Sequence, residues 1–373
     1  MGRGRPGCAG SPAGPGPRHA PCAPPPAAYS GGVSARDAYG SLLLSGLVAV
    51  LVWLGATPLG LPDVAPAEVA AQRFSGARAL ADVARLAAAP RPVGSPAARR
   101  ARSFVLERLR ALGLRPRVQV ATVVSRRRPR VAGRVHNVVA RVPGREPGPG
   151  VLLVAHLDSV PVAPGAADDA SGVAVLLGVA RALAAGPRPR HDVLFLFSDG
   201  EEVGLLGAQA FADRHPWARR VAVVLAVDSL GTSSPLLMYE TTPMAGALVR
   251  EYAACGVPLF ASSLMDEVVS RQEVSSDFRV FRARGVAGLS FGMLDGPGYN
   301  HTAYDAADRI DAHALQHAGD TVLAVTRRLA SARLPLPRAA DLTYFPLPGG
   351  RLVAYGRATA FAVLAAALAA AAV

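Results

Sequence analysis

The sequence predicts an α/β fold, a mixed and largely parallel central sheet flanked by helices. Three observations carry this. Four short, largely apolar runs at 151–155, 192–197, 221–227 and 286–293 have the length and composition of buried strands. Stretches with helical spacing of Ala, Leu and Val alternate with them. Each run is followed by histidine or acidic residues, and open α/β sheets place their ligands at the C-terminal ends of their strands.

The composition bounds the function. At 373 residues the chain can bury a full core with something left over. The formal net charge of +13 comes from 40 arginines with no lysine, which reads as codon bias. The arginines are scattered, and the densest run, Arg126 to Arg130, has no interleaved aromatics. It reads as a solvated hairpin, so no nucleic-acid partner is expected. Cys8 and Cys22 lie in the N-terminal tail and Cys255 stands alone, so no disulfide framework is implied. Nothing in the composition sets an oligomeric state.

Taken in order, residues 1–37 are rich in Pro, Gly, Ala and Arg and predict a disordered tail. Residues 38–62 carry no charge. The stretch from Ser41 to Leu61 has the roughly 20 residues that a bilayer span needs. It predicts a transmembrane anchor in contact with the lipid bilayer. A cleaved signal peptide is the rival, but its apolar region is usually shorter and no clear cleavage site follows. Arg3, Arg5, Arg18 and Arg36 precede the span, while Asp63 and Glu68 follow it. That bias puts everything after residue 62 on the non-cytoplasmic side of a membrane.

A domain is expected over 64–335. Helices are predicted at 66–89, broken by Pro90 and Pro92, and at 97–112, stopped by Gly113. Strands follow at 118–124 and 135–142, then the core strand at 151–155 and a helix at 172–185. Helices at 244–254, 277–284 and 311–331 are interleaved with the later strands. Residues 336–357 read as a turn-rich connector. The apolar run 358–373 reads as the start of a second, truncated span, which makes the chain a piece of a longer membrane protein.

The candidate chemistry lies at the strand ends: His156, Asp168, Glu201, Glu202, Asp228 and His301. Two imidazoles and several carboxylates can hold two divalent metals, and the mixture suits zinc, cobalt or manganese. One acid should stay off the metals to move a proton, and the Glu201–Glu202 pair offers one of each role. Singly, each acid is more often a helix cap or a surface group, and Asp168 and Asp169 before a helix could both be caps. The order H-x-D, D-D, E-E, D, H on successive strand ends is what makes the pattern specific. His313 and His317 stand at i, i+4 on a helix, but no glutamate follows His313 and no metal role is assigned to them.

Five segments carry a resemblance: 155–159 (AHLDS), 164–172 (PGAADDASG), 199–207 (DGEEVGLLG), 227–228 (VD) and 301–305 (HTAYD). They resemble the motifs of the co-catalytic di-zinc exopeptidases, which include bacterial leucyl aminopeptidases and glutamate carboxypeptidase II. The likeness runs from about residue 90 to 329 and takes in 91–96 (RPVGSP) and 137–140 (NVVA). The preceding anchor and the connector with Tyr344 and Phe345 resemble the branch of endoplasmic-reticulum and vacuolar membrane metallopeptidases. The resemblance implies two Zn2+ ions per chain, with His156 and Asp228 on one, Glu202 and His301 on the other, and Asp168 bridging. It implies Glu201 as general base and Asp158 as the acid that orients the ligand histidine. Asp305 would serve His301 in the same way. Ser276, Asp277 and Phe278 resemble a segment near the substrate pocket, without an assigned role. Ala167 departs from the pattern, since many members carry a further Asp there. The expected activity is peptide hydrolysis by an exopeptidase, an aminopeptidase before a carboxypeptidase or amidohydrolase. Asp168 follows His156 by only twelve positions, a shorter gap than the latter group typically shows. A single-zinc glutaminyl-cyclase-like enzyme would not need His156, and a receptor-like ectodomain should have lost ligands.

Overall fold

The computed structural model describes residues 35–56, 60–126, 130–272 and 276–371. The tail expected at 1–37 therefore lies outside the described residues up to position 34, as does much of the Arg126–Arg130 run. The chain divides into two units, Met1–Ala56 and Thr57–Val373.

In the first unit the described residues form helix α1 (Ala35–Ala56), with Tyr39, Leu42, Leu43 and Leu47 exposed. The expected span runs on to residue 62, and its residues 57–59 lie outside the described residues. No helix among the described residues is long and apolar enough to cross a membrane.

The second unit holds the sheet. Helix α2 (Gly76–Leu86) is shorter than the expected 66–89, because the Ser75 side chain accepts the Arg78 N–H and starts the helix there. Helix α3 (Pro96–Ala111) begins on a Ser95 cap with Pro96 in its first turn, where proline fits. Strands β1 (Arg117–Val124) and β2 (Ala132–Val142) form an antiparallel pair. Then come β3 (Gly150–His156), α4 (Gly172–Ala184), β4 (Val193–Ser198), α5 (Leu206–Arg214) and β5 (Val221–Val227). Strand β6 (Leu237–Thr241), helix α6 (Gly246–Ala253), strand β7 (Phe260–Ala261) and helices α7 (Ser263–Arg271) and α8 (Asp277–Arg282) follow. Strand β8 (Ala287–Gly292) and helix α9 (Ala312–Ser331) complete the core, before β9 (Thr343–Leu347), β10 (Arg351–Tyr355) and α10 (Arg357–Ala371).

The eight-stranded sheet has the order β1-β2-β4-β3-β5-β8-β6-β7. Its centre, β4-β3-β5-β8, is parallel. Helices cover both faces, so the central strands are apolar throughout and do not alternate. Val151, Leu153 and Ala155 face one core layer with α4 and α9, while Leu152 and Val154 face the other with α5 and α8. Burying side chains of this kind contributes about 1.5–3 kcal/mol each. This core fixes the strand ends from which the site is built.

Some segments differ from the sequence reading. Helix α5, strand β6 and helix α7 were not among the expected elements. The expected connector carries the antiparallel β9–β10 hairpin, turned through Gly349 and Gly350, both at positive φ. Tyr344 of that hairpin is buried and donates its hydroxyl to Asp266 on α7.

Candidate active site

Four parallel strands deliver the candidate residues to one edge. His156 is the last residue of β3, Glu201 and Glu202 lie in the turn after β4, Asp228 directly follows β5, and His301 lies in the loop between β8 and α9. Asp168 comes from the turn that leads into α4. Its carboxylate is shared: Oδ1 lies 2.8 Å from His156 Nε2 and Oδ2 lies 3.1 Å from His301 Nε2. His301 Nε2 also lies 3.0 Å from Glu202 Oε2, and Asp228 Oδ1 is 4.0 Å from His156 Nε2. Two groups of ligand atoms result, His156 with Asp168 and Asp228, and Asp168 with Glu202 and His301. Within each, the atoms lie within 4.8 Å of one another. Asp168 belongs to both.

A network beneath these groups holds them. Asp158 is fully buried, and its carboxylate accepts the N–H groups of Gly200, Glu201 and Glu202 at 2.9, 3.0 and 3.3 Å. It therefore fixes the turn that carries both glutamates. The His156 ring is oriented at Nδ1 by the Asp158 backbone oxygen at 3.1 Å, with the carboxylate further off at 3.7 Å. Asp305 was expected to serve His301. Its carboxylate instead accepts the Ala167 and Asp168 N–H groups at 2.6 and 3.2 Å, and so positions the shared carboxylate. Asp169 ties the end of β3 to α4, accepting from His156 N–H and Gly172 N–H, both at 3.0 Å. Gly172 packs so tightly on that carboxylate that a Cβ there would collide with it.

Sequence reasoning assigned no role to Arg91, although the segment 91–96 was noted. The side chain is 1% exposed. Its Nε donates to Leu157 O at 2.7 Å and Nη2 to Gly165 O at 2.8 Å, with a further hydrogen bond to Pro164 O. It wraps the loop between His156 and Asp168. Only a proline and glycine signature betrays such a residue in sequence, because charge alone reads as surface. Asp277, left unassigned, begins α8, and its buried carboxyl accepts from Ser198 Oγ. His317 is a satisfied core histidine: Nδ1 accepts the Leu236 N–H and Nε2 faces Pro258 O.

The electrostatics of the cluster fit dications. Burial raises Glu201 and Asp169 well above the usual carboxylate range, and burial followed by neighbouring carboxylates pushes Asp228 up to about 7. Burial opposes charge on His156 and Asp168, yet mutual hydrogen bonds hold the imidazole pKa up and the carboxylate pKa down. Glu201 Oε1 and Glu202 Oε1 are buried without a hydrogen-bond partner. Unpartnered carboxylate oxygens beside two imidazole–carboxylate groups are a donor set suited to zinc.

The cluster forms the floor of a cleft of about 390 Å³. Its walls are Leu230, Tyr239, Val269 and Leu294, with Gln272 and Asn300. Tyr239, from β6, accepts a hydrogen bond from Ser290 Oγ at 2.9 Å.

Comparison with known proteins gives the family. The model of peptidase family M28 matches residues 137–326. Endoplasmic reticulum metallopeptidase 1 of Mus musculus is 34% identical over 230 residues, covering 59% of this chain and 26% of that protein. Vacuolar membrane protease of Yarrowia lipolytica is 32% identical over 203 residues, covering 53% and 20%. The chain thus spans about a quarter or less of the length of these relatives. Among solved structures, the aminopeptidase from Aneurinibacillus sp. strain AM-1 superposes with a TM-score of 0.56 at 18% identity, over 72% of this chain and 98% of that one. That likeness speaks for the fold, the central sheet with its flanking helices. With the family match running from β2 through most of α9 and enclosing every candidate residue except Arg91, the chain belongs to peptidase family M28.

Proposed function

We propose that the protein is a membrane-anchored, zinc-dependent aminopeptidase that holds two zinc ions per chain. The observation that carries the choice of aminopeptidase is the charge of the cleft. Among its described lining residues, Asp168, Glu201, Glu202 and Asp228 are carboxylates and none is arginine or lysine. Two dications would offset those four carboxylates and leave no cation over. Recognition of a free C-terminal carboxylate usually falls to an arginine fork. A peptide with a free amino terminus needs none.

His156, Asp168 and Asp228 would hold one ion, and Asp168, Glu202 and His301 the other. Zinc bound there supplies Lewis acidity and a water of lowered pKa. The chain's own residues do the rest. Glu201, with Oε1 unpartnered, takes a proton and returns it to the leaving amine. The Tyr239 hydroxyl, accepting from Ser290, keeps its own proton to donate into the cleft. Asp158, Asp305 and Arg91 hold the backbone that presents these groups.

The membrane reading rests on the exposed apolar residues of α1, on the names of the relatives, and on the arginines that precede the uncharged stretch. It places the catalytic domain on the non-cytoplasmic side. Turnover of aminoacyl amides against N-blocked peptides tests the specificity, and metal analysis tests the ion count. Cleavage of N-blocked substrates alone, or one metal or none per chain after zinc incubation, would sink the respective claim.

A further inference from the structure

Past the ends of β5 and β8 the two chains stay zipped together. Asp228 N–H donates to Phe291 O at 2.8 Å, and Leu230 and Gly231 N–H both donate to Met293 O, at 2.9 and 2.8 Å. Met293 N–H donates to Ser229 Oγ at 3.1 Å, and Leu294 N–H to Ser234 Oγ at 3.1 Å. At the far end Asp295 closes the pair. Its Oδ1 accepts the Ser233 and Ser234 N–H groups at 3.1 and 2.7 Å. Its Oδ2 accepts Ser233 N–H at 3.0 Å and Ser233 Oγ at 2.5 Å. A Cβ on Gly231 would collide with the Asp295 backbone, so the approach is as close as glycine permits.

The two zipped loops both line the cleft. One supplies Asp228 and Leu230, and the other supplies Leu294, Asn300 and His301. Asp295 lines neither the cleft nor either group of candidate metal ligands. We propose that Asp295 is a positioning residue whose clasp on Ser233 and Ser234 sets the separation of Leu230 and Leu294, and with it the size of apolar side chain the enzyme accepts beside the scissile bond. The clasp is geometric, and it holds wherever the carboxylate is ionised. Partial burial works against the charge, but the Ser233 and Ser234 hydrogen bonds outweigh it and keep the carboxyl below its usual range.

The choice of assay rests on the aminopeptidase reading. Full-length zinc-loaded protein is compared with Asp295→Ala, Asp295→Asn and Ser233→Ala, using leucyl and alanyl amides, metal analysis and hydrogen exchange. Loss of one or two such hydrogen bonds should raise KM for the leucyl amide about three- to tenfold, with kcat within about twofold. The leucyl-over-alanyl preference should fall by the same factor, metal content should hold, and the amides of 229–234 and 293–296 should lose protection together. Ser233→Ala, which keeps the carboxylate, should move the same way by less and remains decisive should the Asp295 variants fail to fold. An unchanged preference with unchanged KM overturns the proposal, and so does a joint loss of kcat and metal. Wild-type protein that cleaves no aminoacyl amide would sink the aminopeptidase reading instead. The exchange experiment then decides the clasp, because protection kept in either loop overturns it.

Discussion

Asp158 Oδ1 accepts the backbone N–H of Glu201 at 3.0 Å. This one contact ties the end of β3, which carries His156, to the turn after β4, which carries both glutamates. With Gly200 and Glu202 donating to the same carboxylate, three backbone N–H groups depend on a single buried side chain. Asp158→Ala should therefore destabilise the domain by about 1–3 kcal/mol, because buried donors are left unmade. It should also lower kcat/KM about 10–100-fold by loosening the ligand turn. Denaturant unfolding beside turnover checks this. Full activity in Asp158→Ala would show that the turn holds its shape unaided.

Arg91 gives a second test. Its guanidinium is fully buried and bonds Leu157, Pro164 and Gly165 carbonyls, with Asp158, Asp168, Asp169 and Asp305 near enough to favour its charge. Arg91→Met leaves carbonyls unmade and buried carboxylates without a countercharge, and should cost about 3–5 kcal/mol. Arg91→Lys should recover little, because an ammonium cannot reproduce the fork. Urea unfolding that places Arg91→Lys near wild type would contradict this account.

Those two residues mark where sequence reading stops. The strands β3, β4 and β5 were legible because burial on both faces makes them continuous apolar runs, and the acids and histidines at their ends stand out by contrast. Helix α3 was legible from its spacing and the stop at Gly113, while its Ser95 cap shows only in the structure. Helix α2 was overextended because alanine-rich segments keep helical spacing beyond a cap, and only the Ser75 hydrogen bond shows where it starts. Strand β6 was not legible: Tyr239 and Glu240 are buried by tertiary packing that no local pattern announces. The partners of Asp158 and Asp305 are backbone N–H groups, which leave no trace in side-chain identity.

Protonation gives a third test, on protein stripped of metal by chelator. Burial, then neighbouring carboxylates, pushes Asp228 up from 3.8 to about 7, and hydrogen bonds to Asp168 and then Glu202 raise His301 from 6.5 to about 10. Both groups bind their proton more tightly folded than unfolded. Their contributions are thus fully present at low pH and are lost as pH rises, through 3.8 to about 7 for Asp228 and through 6.5 to about 10 for His301. Stability of the stripped protein should fall across that range, and zinc should flatten the curve because bound ligands are already deprotonated. Thermal unfolding against pH, with and without zinc, measures it. A stripped protein that gains stability from pH 5 to 9 would contradict the assignment.

The adjacent acids Glu201 and Glu202 should divide their labour. Glu202 Oε2 lies 3.0 Å from His301 Nε2 and shares that imidazole with Asp168, so its carboxylate is committed to a group of candidate ligands. Glu201 belongs to neither group, yet it lines the cleft with Oε1 buried and unpartnered. Burial raises its pKa, which suits a group that must hold a proton and release it. Asp158 fixes both backbones, so substitution of either side chain leaves the turn in place. Glu201→Gln keeps the shape and a carbonyl oxygen but cannot accept the proton, and should lower kcat about 10²–10⁴-fold with metal content near wild type. Glu202→Gln should shed metal, and added zinc should restore part of its activity. Metal analysis beside turnover decides between them. If Glu201→Gln loses metal while Glu202→Gln retains it, the roles are exchanged and the geometry around His301 has been misread.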